Sequence, residues 1–351
     1  MEKTLAQQGE TYFLNLRFIL ILTVLIGNAI EPLIHQMDGI HALYLWIFSF
    51  HMPLFVFVTG YFAKGALGGE VGRKTLLQIG LQYTIFQSLY SFLDVTVFHV
   101  QNIHHSFFAP YLLLWFLASH AGWRLLTLGM HKLTPTAQII LSLVLGILVG
   151  YLRLDGAWLS ISRTFVFLPF FVIGYHFSFE AFVQFFTKQK KLIDAVASIV
   201  LFAIIALWGL GIPEGWLYGS MTYMQLGHQE WYAGLYRAAF YGLEFIAGAS
   251  FLAWVPFQQS RMTDLGRRTL YVFLLHGFFI RFAVVSGLYS YIQNPAAALL
   301  LIAGAVLLAV ALAQPAVKKY AHPVIEPSVT WIIRLTLWVN RYRNKASTFF
   351  R

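Results

Sequence analysis

Arg17-Phe18-Ile19-Leu20-Ile21-Leu22-Thr23-Val24-Leu25-Ile26-Gly27-Asn28-Ala29-Ile30 decides the fold class. It is the heart of an apolar run from 13 to 33, and about twenty residues at 1.5 Å each cross the hydrocarbon core of a bilayer. Its two polar exceptions pose the functional question. Arg17 and Asn28 are eleven positions apart, three turns plus about 20°, so their side chains share one helix face roughly 16 Å apart along the axis. On that spacing, a cation and a distal polar group look into the same cavity. Polar groups inside a membrane are expensive and face a site or a partner helix by default. The blander alternative is an Arg that snorkels to the interface and an Asn that bonds a neighbouring helix.

Outward from this run, composition agrees. The chain is 59% hydrophobic, 17% aromatic and only 11% charged, with a mean hydropathy of +0.68. A soluble globule carries roughly 25% charged residues, so this is an all-α polytopic membrane protein. The net charge of +10 is no nucleic-acid signal, because the cations cluster in short loops between apolar runs. The absence of cysteine excludes disulfides, thiolate catalysis and cysteine metal sites. No cleavable signal peptide is evident, since the first run flows into Glu31-Pro32 without a small-residue cleavage site.

About ten spans are predicted, at 13 to 33, 42 to 63, 75 to 97, 109 to 128, 137 to 153, 161 to 183, 192 to 211, 232 to 255, 269 to 289 and 296 to 317. With a cytoplasmic N-terminus the inner loops hold Lys64, Arg73, Lys74, Lys132, Lys188, Lys190, Lys191, Arg261, Arg267, Arg268, Lys318 and Lys319. The outer loops hold Arg153 among His99, His104, His105, Asp155, Glu214 and Glu230. That asymmetry puts both termini in the cytoplasm. Gly146 and Gly150 in the short fifth span predict close helix contact. Residues 1–328 read as one transmembrane domain, and 329–351 as a basic amphipathic interfacial tail. In the tail Trp331, Ile332, Leu335 and Trp338 oppose Arg334, Arg341, Arg343, Lys345 and Arg351.

Motifs of soluble enzymes are missing. Gly68-Gly69-Glu70-Val71-Gly72-Arg73-Lys74 lacks the spacing of a phosphate-cradling loop, and the histidines lack a helical metal pair with a third ligand, so no metal is expected. What remains is a polar set in or beside the spans: Arg17, Asn28, Glu31, His51, Gln78, Gln82, Asp94, His120, Arg163, Arg237, Glu244, His276 and Arg281. Arg237 and Glu244, seven apart on one face, suggest a buried charge network. A transporter would also suit buried Arg and Glu, but no pair of Gly/Pro-broken segments marks an inverted repeat.

Tyr12-Phe13-Leu14-Asn15-Leu16-Arg17 leading to Asn28, and Phe48-Ser49-Phe50-His51-Met52-Pro53-Leu54-Phe55-Val56-Phe57-Val58-Thr59-Gly60-Tyr61, resemble the acyltransferase-3 family of integral membrane acyltransferases. Further matches are Ala109-Pro110-Tyr111 with Leu114-Trp115-Phe116-Leu117, Ser162-Arg163-Thr164 with Phe167-Leu168-Pro169-Phe170-Phe171 and Gly174-Tyr175, and Leu265-Gly266-Arg267-Arg268-Thr269-Leu270-Tyr271 with Leu274-Leu275-His276. Together they are similar to the branch of fucose 4-O-acetylase and related acetyltransferases. The resemblance implies ten spans in a bacterial cytoplasmic membrane, in contact with its lipids. It implies transfer of an acyl group, acetyl first, from cytoplasmic acetyl-CoA or another acyl-CoA to a hydroxyl of a glycan or lipid-linked sugar.

One departure stands out. The family signature in the first helix is a basic residue, ten intervening residues and a histidine, and here position 28 is Asn. Imidazole can take a proton near neutral pH, whereas an amide has no accessible basic lone pair. An inactivating substitution, a natural non-catalytic relative that senses acyl-CoA or glycan, and a base at another position all remain open. The catalytic candidates are the Asn28 position, Arg17, His51 and His276. Arg163, Arg73, Lys74, Arg267, Arg268 and Trp115 are the candidates for binding acyl-CoA, with positive-inside retention and core packing as the plainer readings.

Overall fold

The computed structural model describes residues 4–99, 106–152, 158–186, 188–332 and 334. The helices are α1 Leu5–Ile30, α2 Asp38–Phe62, α3 Gly69–Thr96, α4 Trp115–Gly129, α5 Pro135–Leu148, α6 Ile161–His176 and α7 Phe179–Phe185. They continue with α8 Lys188–Trp208, α9 Gly215–Tyr218, α10 Ala233–Phe251, α11 Arg261–Gly266, α12 Thr269–Val285, α13 Pro295–Leu312 and α14 Pro315–Ile325. No strand occurs among the described residues. A helix underlies each of the ten predicted spans. Among the described residues, five helical segments are long and apolar enough to cross a membrane: Leu5–Leu33, Asp38–Phe62, Trp158–His176, Gln189–Trp208 and Pro295–Leu312.

The boundaries differ from expectation in three places. The span from 161 to 183 is broken after His176, because Ser178 accepts from the Ala181 N–H and caps a separate helix, α7. The span from 109 to 128 begins as a helix only at Trp115, after Pro110 and a tight turn in which Leu112 has a φ of 43°. The last span stops at Leu312, and Pro315, which supplies no helical N–H, opens α14 as a new helix. A helical turn begins at Thr330, and the rest of the expected tail, like Arg153, His104, His105 and Asp155, lies outside the described residues.

α1 and α2 form the centre. The apolar windows of both are 67% buried, against 11% for α8 and 22% for α13, whose open apolar sides suit lipid. α2 packs most extensively on α6. The crossing is made by two glycines: a Cβ on Gly60 would strike the Phe171 carbonyl, and one on Gly174 the Phe57 carbonyl. Backbone therefore meets backbone without an intervening side chain. The contact predicted at Gly146 is present, where the Tyr241 hydroxyl occupies the space a side chain would need.

α1 is tied to the segment before α11 by Asn15, which is fully buried. Its amide donates to the carbonyls of Pro256 at 2.8 Å and Gln258 at 3.0 Å, and accepts from the Thr263 hydroxyl at 2.7 Å. Asn15→Ala strands all three groups and is expected to lower stability by about 2 kcal/mol, read by thermal unfolding in detergent. An unchanged melting temperature would show that other contacts hold this segment. The end of the bundle at which α1 finishes is its upper end here, and the end at which α1 begins its lower.

Candidate active site

Two chambers lie against the predicted face of α1. The upper one, of about 300 Å³, is lined by Asn28, Glu31, Tyr44, His51, Trp115, Arg163, Tyr218 and His276. The lower one, of about 380 Å³, is lined by Arg17, Thr59, Gln78, Gln82, His120, Arg124 and Glu326. Phe55, Phe116 and Phe273 line both. Arg17 and Asn28 thus share a face but not a cavity, contrary to the expectation from their spacing. Three rings from α2, α4 and α12 stand in the 16 Å between them.

In the upper chamber two helices use the same local device. His51 Nδ1 lies 2.9 Å from the Ile47 carbonyl and His276 Nδ1 lies 2.9 Å from the Val272 carbonyl, each four residues earlier. A carbonyl only accepts, so each Nδ1 carries the proton and each Nε2 presents its lone pair. The two histidines then diverge. His276 Nε2 is 3.1 Å from Asn28 Nδ2 and accepts from that amide. His51 Nε2 has no hydrogen-bond partner among the described residues, and the ring lines the chamber. Asn28 reaches this point because it sits in the last turn of α1, where Pro32 converts the chain to a 3-10 turn and places Glu31 at the chamber wall.

The rim is polar. Arg163 donates from Nε to the Tyr218 carbonyl at 3.2 Å, and its guanidinium lies 4.7 Å over the Trp115 ring. The Tyr44 hydroxyl donates to the Tyr218 hydroxyl at 3.0 Å. Tyr218 ends α9, where Gly219 turns the chain with a φ of 65°. Burial pushes its phenol above the ordinary range, the Tyr44 bond pulling the other way. Trp115, expected against a donor, is engaged by Arg163 and stacked on Phe167 at 5.8 Å.

The lower chamber is cationic. Arg17 has no hydrogen-bond acceptor or ion-pair partner among the described residues, its guanidinium lying 5.3 Å over the Phe62 ring. Arg124 donates to the Ala66 carbonyl while its Nε, like His120 Nε2, is buried without a partner. Glu326 is the acidic lining group and accepts from the Tyr271 hydroxyl at 2.5 Å. Arg124 escaped the sequence reading, although a His and an Arg four apart within an apolar run were a usable signal. Tyr44 and Tyr218 had none, since only tertiary packing joins α9 to α2.

The basic loop residues are not drawn to either chamber. Arg73 lines an apolar groove with Leu76, Leu77 and Leu128. Lys74 pairs with Glu70 at 2.8 Å, and that bond holds the Glu70 carboxyl below its usual range. Arg267 pairs with Glu10 at 3.1 Å, and Arg268 donates to the Ala313 carbonyl. Elsewhere in the polar set, Asp94 and Arg281 form a 3.1 Å ion pair joining α3 to α12. Arg237 donates to the Trp216 carbonyl at 2.7 Å, while both Glu244 oxygens are buried without a hydrogen-bond partner, so the suggested network contains no direct ion pair. No metal-sized cluster of His, Asp and Glu occurs among the described residues.

The acyltransferase-3 family model, described as an acyltransferase domain, matches residues 11–314. No curated protein and no solved structure matches the chain. The match runs from Thr11, ahead of Arg17, past His276 to the last residue before α14, and so takes in nearly all of the two-chamber bundle. The chain belongs to the acyltransferase-3 family of integral membrane acyltransferases.

Proposed function

We propose that the protein moves an acyl group, acetyl first, from acyl-CoA to a hydroxyl of a glycan or lipid-linked sugar, through a ten-span bundle with both termini in the cytoplasm. The lower, cationic chamber receives the phosphate-bearing arm of the donor, with Arg17 and Arg124 as partners for phosphate oxygen. The upper chamber receives the acceptor, where Glu31, Arg163, Tyr44 and Tyr218 offer a carboxylate, a guanidinium and phenols to orient a sugar hydroxyl. The observation that carries the reading is the free Nε2 lone pair of His51, held in one tautomer at the wall of a chamber that also contains the residue-28 position.

Under this reading His51 Nε2 takes the proton of the acceptor hydroxyl as its oxygen attacks the thioester carbonyl. The second N–H of the Asn28 amide donates to the developing oxyanion. That attack forms the carbon–oxygen bond of the ester, collapse re-forms the carbonyl and breaks the carbon–sulfur bond, and the thiolate leaves as the free thiol with the proton His51 held. Asn28 acts as a donor and not as a base, which is what an amide can do.

The Asn28–His276 bond favours a second reading, in which the chain binds acyl-CoA without turning it over, because that bond occupies the lone pair of His276. Thioester consumption by purified protein separates the readings. The chain as it stands is expected to transfer acetyl to a sugar acceptor, and Asn28→His to do so faster through a second base. Binding without turnover in both forms would support the sensor. Passage of sugar with the thioester intact would support a transporter.

A further inference from the structure

The ring layer between the chambers repeats one pattern on three helices. On α2, Met52 lines the upper chamber, Thr59 the lower, and Phe55 both. On α4, Trp115 lines the upper, His120 the lower, and Phe116 both. On α12, His276 lines the upper, Thr269 the lower, and Phe273 both. α1 spans the layer with Arg17 below and Asn28 above. Phe55 meets Phe116 edge to face at 5.5 Å and 88°, and Phe116 meets Phe273 at 5.5 Å and 62°. All three are buried, and Phe116 is held from behind by Trp123 at 5.4 Å.

The geometry points to a specificity-determining role for Phe55, Phe116 and Phe273: they are the septum that the acyl end of the donor threads to reach the acceptor, and they admit only a short acyl group. This rests on the acyl-transfer reading of the chambers. Phenyl rings in van der Waals contact turn about χ2 at little cost, which lets a two-carbon group slip past. A longer acyl chain must fit above the rings, in a chamber of about 300 Å³ whose floor they form and which must also house the acceptor. While closed, the layer keeps water of the acceptor side from the thioester in the lower chamber.

The absence of cysteine makes a direct test available, since one introduced thiol reports alone. Met52→Cys and Thr59→Cys, each in the full chain in sealed vesicles of known orientation, are exposed to a membrane-impermeant methanethiosulfonate from either side. Each is expected to react from one side only, and the two from opposite sides. Adding Phe116→Ala is expected to open each to the other side, with Phe273→Ala as a second variant should the first not fold. Reaction of either thiol from both sides with all three rings intact overturns the septum, as does silence from both sides or an unchanged pattern when a ring is removed.

A second readout concerns selectivity. Phe116→Ala is expected to raise butyryl-CoA turnover relative to acetyl-CoA by about tenfold or more. An unchanged ratio overturns the acyl-size role. One-sided labelling without thioester consumption in any variant would overturn the acyl-transfer reading, and with it the role of the septum in acyl selection, while the two-chamber division stood.

Discussion

His51→Gln is expected to lower acyl-CoA turnover by about 10²- to 10⁴-fold, the range a positioned general base contributes. Glutamine fills much of the imidazole's space and still bonds the helix, but it has no basic lone pair at this pH. Donor affinity should change little, because the lower chamber holds no part of the His51 side chain. His276→Gln should cost less, since its Nε2 is already taken by Asn28. The check is kcat measured beside donor affinity and melting temperature for both variants. A His51→Gln protein that folds and keeps its rate would remove His51 from the chemistry.

The second large effect is structural. Gly60→Val or Gly174→Val is expected to abolish accumulation of folded protein, because each new side chain must enter space held by the backbone carbonyl of Phe171 or Phe57. Overpacking that side chains can absorb costs roughly 1–3 kcal/mol, and a helix backbone cannot step aside as a side chain does. Gly242→Ala in α10 is the matched control, with nothing within 4 Å of its added carbon. It should be neutral or gain up to about 1 kcal/mol of helix propensity. Monodisperse yield in detergent and melting temperature read both. Normal folding of Gly174→Val would mean that α2 and α6 are further apart than described.

These expectations show where the sequence speaks clearly. Hydropathy locates a helix under every predicted span, because an apolar run of that length has few other uses. It misses the break at Phe177 and the late start of α4, which depend on a serine cap and a tight turn inside runs whose average hydropathy stays high. Period and spacing put Arg17 and Asn28 on one face, yet they carry no information about rings inserted from α2, α4 and α12. His51 and His276 stand out as lone imidazoles in aromatic runs. Which lone pair is free depends on the reach of Asn28 from a different helix, 248 positions away in sequence from His276. Glu326, the residue after α14, lies past the end of the family match, and nothing in its own neighbourhood marks it as a chamber residue.

Transfer of the acyl group of a CoA thioester to a hydroxyl, driven by an imidazole base in the upper chamber, is the step on which the proposed function rests. Its most direct measurement is acetyl-CoA consumption by the purified chain in the presence and absence of a sugar acceptor, paired with His51→Gln. Acceptor-dependent release of free CoA together with an acetylated sugar is expected, with loss of both in the variant. Acetyl-CoA left intact in the presence of acceptor, or consumed at the same rate without His51, would contradict it.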